Sequence, residues 1–154
     1  MPTLDDVYCK FGYAAEAAQL LETQLGNMLL DHHIIEDNLI DAKNPERARA
    51  VLDSINRRTF GQLLKSLNNQ TQSLDKLNDL MLKALDERNR LFHSFYLSHN
   101  FRGNSEQGVL VMLQDLEAIH TALLDAYKAV LLLDGIDLDA VTDVGELPTK
   151  HLPI

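Results

Sequence analysis

Several stretches of this 154-residue chain repeat apolar residues at helical spacing, and none sustains the alternation of apolar and polar residues that a half-buried strand needs. The first carries Leu4, Val7, Phe11, Ala14, Ala18, Leu21, Leu25 and Met28, which predicts a helix from about Leu4 to Asp31 or slightly beyond. Its small residues Ala14, Ala15, Ala17 and Ala18 let another helix approach closely, and Gly12 and Gly26 weaken the helix without ending it. Asn44, Pro45 and Glu46 form a helix start ahead of Ala48, Val51, Leu52 and Ile55. Thr59 and Gln62 have the spacing of a capping box before Phe60, Leu63, Leu64 and Leu67, and the polar run from Asn68 to Gln72 reads as a loop. Ser73 caps a third helix reaching about His99, and Asn100 to Asn104 is a turn. Ser105 and Glu106 open a fourth helix with Val109, Met112, Leu116, Ile119, Leu123, Ala126, Val130 and Leu133, which Gly135 terminates. The prediction is an all-α bundle of four to five helices over residues 1–134. An acidic tail, 135–154, is read either as flexible or as an arm on a partner.

Within the third stripe one position breaks the rule. Leu74, Leu77, Met81, Ala84, Phe92 and Phe95 keep helical phase, and between Ala84 and Phe92 the phase falls on Arg88. A guanidinium on a buried face cannot shed its proton, so it must be paired or must line a cleft that holds water or an anion. The acidic residues within reach are Glu87, Glu16 or another on the first helix. Five residues on stands His93, whose side-chain type titrates near neutral pH. Asn89 lies one turn before His93 on the same helix face, and Tyr96 about one turn after it. Arg88 is about 140° round from His93 on an ideal helix, so its length or a local bend must bring the two together.

An Arg and a His separated by four residues in all, the first of them polar, in the third long helix of a small helical protein, resembles the HEPN superfamily. The motif maps onto Arg88, Asn89 and His93, and the aromatic that often follows maps onto Phe95 or Tyr96. The resemblance covers roughly residues 4–133. It implies a helical bundle that dimerises with two motifs facing across a cleft, and an activity, in many members, of metal-independent endoribonuclease. Toxins of toxin–antitoxin pairs and antiviral effectors are among them, while other members only bind nucleotides or partners. A cognate antitoxin is the partner implied by the toxin reading.

The chemistry of the motif residues suits metal-free RNA cleavage. His93 would serve as general base on the ribose 2′-hydroxyl or as general acid on the leaving 5′-oxygen. Arg88 would stabilise charge developing on the phosphate, and Asn89 would orient the phosphate or the imidazole. One chain supplies one such histidine, so a two-fold homodimer would provide acid and base from separate subunits. The other reading keeps Arg88 and His93 in a non-catalytic dimer module that binds a nucleotide, a phosphate or a partner protein.

Composition narrows the alternatives. With 45% hydrophobic and 24% charged residues the chain matches a soluble globular protein, and its length suits one domain. Net charge is 14 minus 23, or −9, which argues against coating nucleic acid, DNA included, by bulk electrostatics. An RNA-directed activity would then need a local positive cleft, for which Arg57, Arg58, Lys65, Arg88, Arg90 and Arg102 are the candidates. The single Cys9 excludes an internal disulfide and is expected to be a small buried residue in a reducing compartment. Met1 to Lys10 lacks the pattern of a signal peptide and no run is long enough to span a membrane, so a cytoplasmic location is expected. Glu117 with His120, and His32 and His33 with Glu36, are the residues a metal would use. A di-iron bundle needs two Glu-x-x-His pairs and this chain has one, so no metal or other cofactor is expected.

Overall fold

The computed structural model describes residues 1–36, 45–63, 65 and 75–140. All regular structure among them is helical. Helix α1 spans Leu4–Glu36, α2 spans Pro45–Asn56, α3 spans Asp75–His93, α4 is the short Phe95–Ser98, and α5 spans Glu106–Leu133. The expected Asn44 and Ser73 caps, Leu64, Leu67 and Leu74, the loop 68–72 and the tail beyond 140 lie outside the described residues.

The core lies where the stripes of α1 and α5 meet. Ala14, Ala18, Leu21 and Leu25 of α1 are buried, as are Met112, Leu116, Ile119 and Leu123 of α5. Lys10 touches Glu117 and His120, and Gln24 touches Asp134, so these two longest helices run parallel. Helix α3 runs against both, because Glu22 of α1 meets Arg88 while Phe11 meets Phe92 and Phe95. Helix α2 closes on α1 at Gly26, where an added Cβ would come within 3.2 Å of the Ile55 side chain.

Local signals act as expected at several ends. Thr59 and Gln62 form the reciprocal capping box, with the Thr59 amide donating to the Gln62 side chain at 2.9 Å and the Gln62 amide donating to the Thr59 hydroxyl at 3.4 Å. A helical turn follows, burying Phe60 and Leu63. Ser105 accepts the Gly108 amide at 3.1 Å to cap α5. At the other end Gly135 takes φ 80°, and the amides of Gly135 and Ile136 donate to the carbonyls of Leu132 and Leu131. That pair of bonds is a Schellman closure, which needs a left-handed residue at Gly135.

Four expectations are corrected. The third helix does not continue to His99: it stops at His93, since Ser94 adopts φ −138° and its hydroxyl bonds back to the Arg90 carbonyl at 3.2 Å. Phe92 is 40% exposed while its neighbour Leu91 is buried, because Leu91, three residues after Arg88 and four before Phe95, keeps the phase of the buried stripe. Cys9 is exposed, falling off the phase set by Val7 and Ala14. Leu133 is also exposed, Leu131 being buried in its place where α5 unwinds into the Gly135 closure.

Candidate functional site

Arg88 leaves α3 towards α1. Its Nε–H donates to Oε1 of Glu22 at 2.8 Å, its Nη1 donates to Oδ1 of Asn89 at 3.3 Å, and its guanidinium carbon sits 5.1 Å from the centre of the Phe92 ring. Three contacts on different sides fix the plane of the guanidinium. The charge is thus paired within the fold, on the first helix as expected, although with Glu22 rather than Glu16. Glu87 is occupied elsewhere, accepting from Arg90.

His93 is the last residue of α3 and is exposed, as are Asn89 and Tyr96. Among the described residues its ring has no hydrogen-bond or ion-pair partner. The interruption at Ser94 turns the following aromatics back onto α1. Tyr96 stacks on Phe11 with centroids 5.4 Å apart and lies 6.4 Å from Tyr8, and Phe92 meets the edge of Phe11 at 6.4 Å. A continuous run of rings from Tyr8 to Phe92 therefore borders the motif and ends under Arg88. Burial, and then the proximity of Tyr8, push the Tyr96 hydroxyl above its ordinary range, so it stays protonated at neutral pH.

The structure divides Arg88, Arg90 and Arg102 rather than gathering them. Arg90, two residues beyond Arg88, points to α5 and grips both oxygens of Asp115 at 2.8 and 2.6 Å. Arg102 reaches Nδ1 of His99 at 2.9 Å, and Nε2 of the same ring lies 2.6 Å from Asp115. A guanidinium can only donate, so Nδ1 accepts and the ring carries its proton on Nε2, directed at the carboxylate. His99 is 5% exposed and is the one buried polar side chain among the described residues. Burial alone would raise the Asp115 carboxyl, but the hydrogen bonds from Arg90 and His99 outweigh it and hold the group below the usual range. Donation to Asp115 in turn raises the pKa of Arg90. This Glu87–Arg90–Asp115–His99–Arg102 chain joins α3, the turn at Arg102–Asn104 and α5, and the sequence reading did not find it. Asp115 stands three residues after buried Met112 and four before buried Ile119, so a carboxylate in phase with the apolar stripe was the available signal.

Of the metal candidates, Glu117 and His120 are bridged by Lys10, which pairs with the carboxylate and lies 3.3 Å from Nδ1 of the imidazole. Burial, and then the Lys10 charge, lower the His120 pKa, and the hydrogen bond from Lys10 lowers that of Glu117. An ammonium thus occupies the position between the two ligands. The rings of His32 and His33 sit 6.2 Å apart on the last turns of α1, and no three His, Cys, Asp or Glu side chains among the described residues converge as a metal site. No helix among the described residues is long and apolar enough to cross a membrane. No family model matches the chain, and no curated protein or solved structure matches it.

Proposed function

We propose that this protein is a dimeric, metal-independent endoribonuclease of the HEPN type, acting as a toxin or as a stress or defence effector in the cytoplasm and held in check by a cognate antitoxin. The observation that carries the reading is the state of the motif. The Arg88 guanidinium is oriented by Glu22, Asn89 and Phe92, while the His93 ring stands exposed and free of partners among the described residues at the end of the same helix. A guanidinium held in one plane is preorganised to meet phosphate oxygens, and an exposed imidazole is available to move a proton. Asn89 and Tyr96 support the site, Asn89 by bonding Arg88 and Tyr96 by packing on Phe11. The exposed rings of Tyr8, Phe92 and Tyr96 favour a homodimer, because an apolar patch of this kind usually marks a surface that another protein covers. In that dimer one His93 acts as base on the 2′-hydroxyl and the other as acid on the leaving 5′-oxygen.

One observation favours the second reading, a non-catalytic dimer module that binds a nucleotide, a phosphate or a partner protein: the Arg88 charge is already answered by Glu22. Incubating purified protein and His93→Ala with several structured and unstructured RNAs, with and without EDTA, decides between them. The nuclease reading expects cleavage by the parent in EDTA and none by the variant. Equal behaviour of the two, in these assays and in growth inhibition, would overturn it.

A further inference from the structure

One face of α1 is polar where the helix leaves the core. Gln19, Glu22, Thr23 and Asn27 repeat at three- and four-residue intervals beside the buried stripe, with Gly26 among them. They form one wall of a cleft of about 320 Å³, whose other wall is α2 and the turn after it. Leu52, Ile55 and Leu63 give part of that second wall an apolar surface beside Asn56 and Arg58, and Leu52 is 41% exposed within it. Gly26 sets the width, since a side chain there would run into Ile55. A glycine inside a helix costs about 1 kcal/mol relative to alanine, and here it keeps the space open.

The chemistry of this lining is specific. The side-chain amides of Gln19, Asn27 and Asn56 each offer a donor and an acceptor, the combination that pairs with the edge of a nucleobase. The apolar wall suits the face of a flat ring, and the size falls at the lower end of ligand clefts, ~300 to 1,000 Å³. The cleft also adjoins the motif through one residue, because Glu22 both lines it and accepts the Arg88 Nε–H.

We infer that this cleft holds the base of the nucleotide whose phosphate lies at Arg88. The position in an RNA chain rests on the nuclease reading, whereas the binding of the base does not. Free nucleotide and RNA share this chemistry, so both are tested on the full chain. Titration with AMP, GMP, CMP and UMP, followed by amide chemical shifts and calorimetry, should show saturable binding with shifts at the cleft walls on α1 and α2 and around Arg88 on α3. Asn27→Ala combined with Asn56→Ala should weaken it at least tenfold, and Gly26→Leu, which fills the cleft, should abolish it. Mapping of cut sites on a mixed-sequence RNA should show a base preference beside the cut for the parent and loss of that preference in the double variant. His93→Ala should still bind the monophosphates. No saturable binding, or binding indifferent to the Asn27 and Asn56 changes, would overturn the inference. RNA cleavage without nucleotide binding would remove the cleft alone, and nucleotide binding without cleavage would remove the nuclease reading alone.

Discussion

The Nε–H of Arg88 donates to Oε1 of Glu22 at 2.8 Å, tying α3 to α1 across 66 residues of chain. Both side chains are about three-quarters buried, so solvent screens the pair only partly. If Glu22 fixes the guanidinium for phosphate, the two residues act on cleavage as a unit. Glu22→Gln keeps an acceptor and should cost little activity, whereas Arg88→Lys replaces a planar fork by a point charge and should lose on the order of 10² to 10³ in rate, about 3 to 4 kcal/mol. In a double-mutant cycle on stability the pair should couple by about 1 kcal/mol. A large fall in the melting temperature of Arg88→Lys with unchanged specific activity would mark Arg88 as a structural ion only.

His93→Ala should separate chemistry from folding. The ring is exposed and unpartnered among the described residues, so its loss should change stability by no more than about 0.5 kcal/mol. Cleavage should disappear while RNA binding persists. Mass spectrometry of the products made by the parent should find 2′,3′-cyclic phosphate and 5′-hydroxyl ends. Products carrying 5′-phosphate would contradict attack by the ribose hydroxyl.

Homodimer formation is read by light scattering coupled to size exclusion, which should give twice the chain mass of 17.4 kDa. Tyr8→Glu places a charge among the exposed rings without touching Arg88 or His93 and should shift the protein towards the monomer. A parent that runs as a monomer at micromolar concentration removes the two-subunit mechanism.

Gly108→Ala should destabilise, although alanine is ordinarily the better helix former. An added Cβ would lie 2.0 Å from the Arg102 carbonyl oxygen, and neither backbone is free to move away: α5 begins here and the turn at Arg102–Asn104 packs against it. The expected loss is about 2 to 3 kcal/mol, measured by urea unfolding. Gly12→Ala is the control, since nothing lies within 4 Å of its added Cβ, and it should be neutral or stabilising. Equal effects at the two positions would show that the Arg102 contact does not constrain the fold.

Acid should unfold the protein through Asp115 and His120. Both have folded-state pKa values below their ordinary ones, so on acidification the unfolded chain takes up each proton first. The His120 contribution is present above about pH 6.5 and fades below it; that of Asp115 is present above about pH 4 and is lost as pH falls through its lower folded value. Asp115→Asn should cost about 1.5 to 3 kcal/mol at neutral pH, because Arg90 and His99 lose their charged acceptor. It should also flatten the acid limb of the urea midpoint against pH. Parallel acid limbs for variant and parent would exclude Asp115 as a source of the pH dependence.

The amino-acid sequence alone determined the helical class, because the apolar phase of α1 and α5 spans many turns, and it determined the ends at Thr59, Ser105 and Gly135, because capping is a local matter of side chain and backbone within three or four residues. It also marked Arg88 as a buried charge needing a partner. Which partner it takes was decided by tertiary structure. Glu22 stands in phase with buried Ala18 and Leu25, as Arg88 does with Ala84 and Leu91, yet only the antiparallel packing of α3 on α1 brings those two in-phase charges opposite each other. The break at Ser94 and the assignment of Arg90 to Asp115 were likewise settled there. Each depends on a choice between local backbone hydrogen bonding and long-range pairing, and helical spacing is the same on either side of that choice.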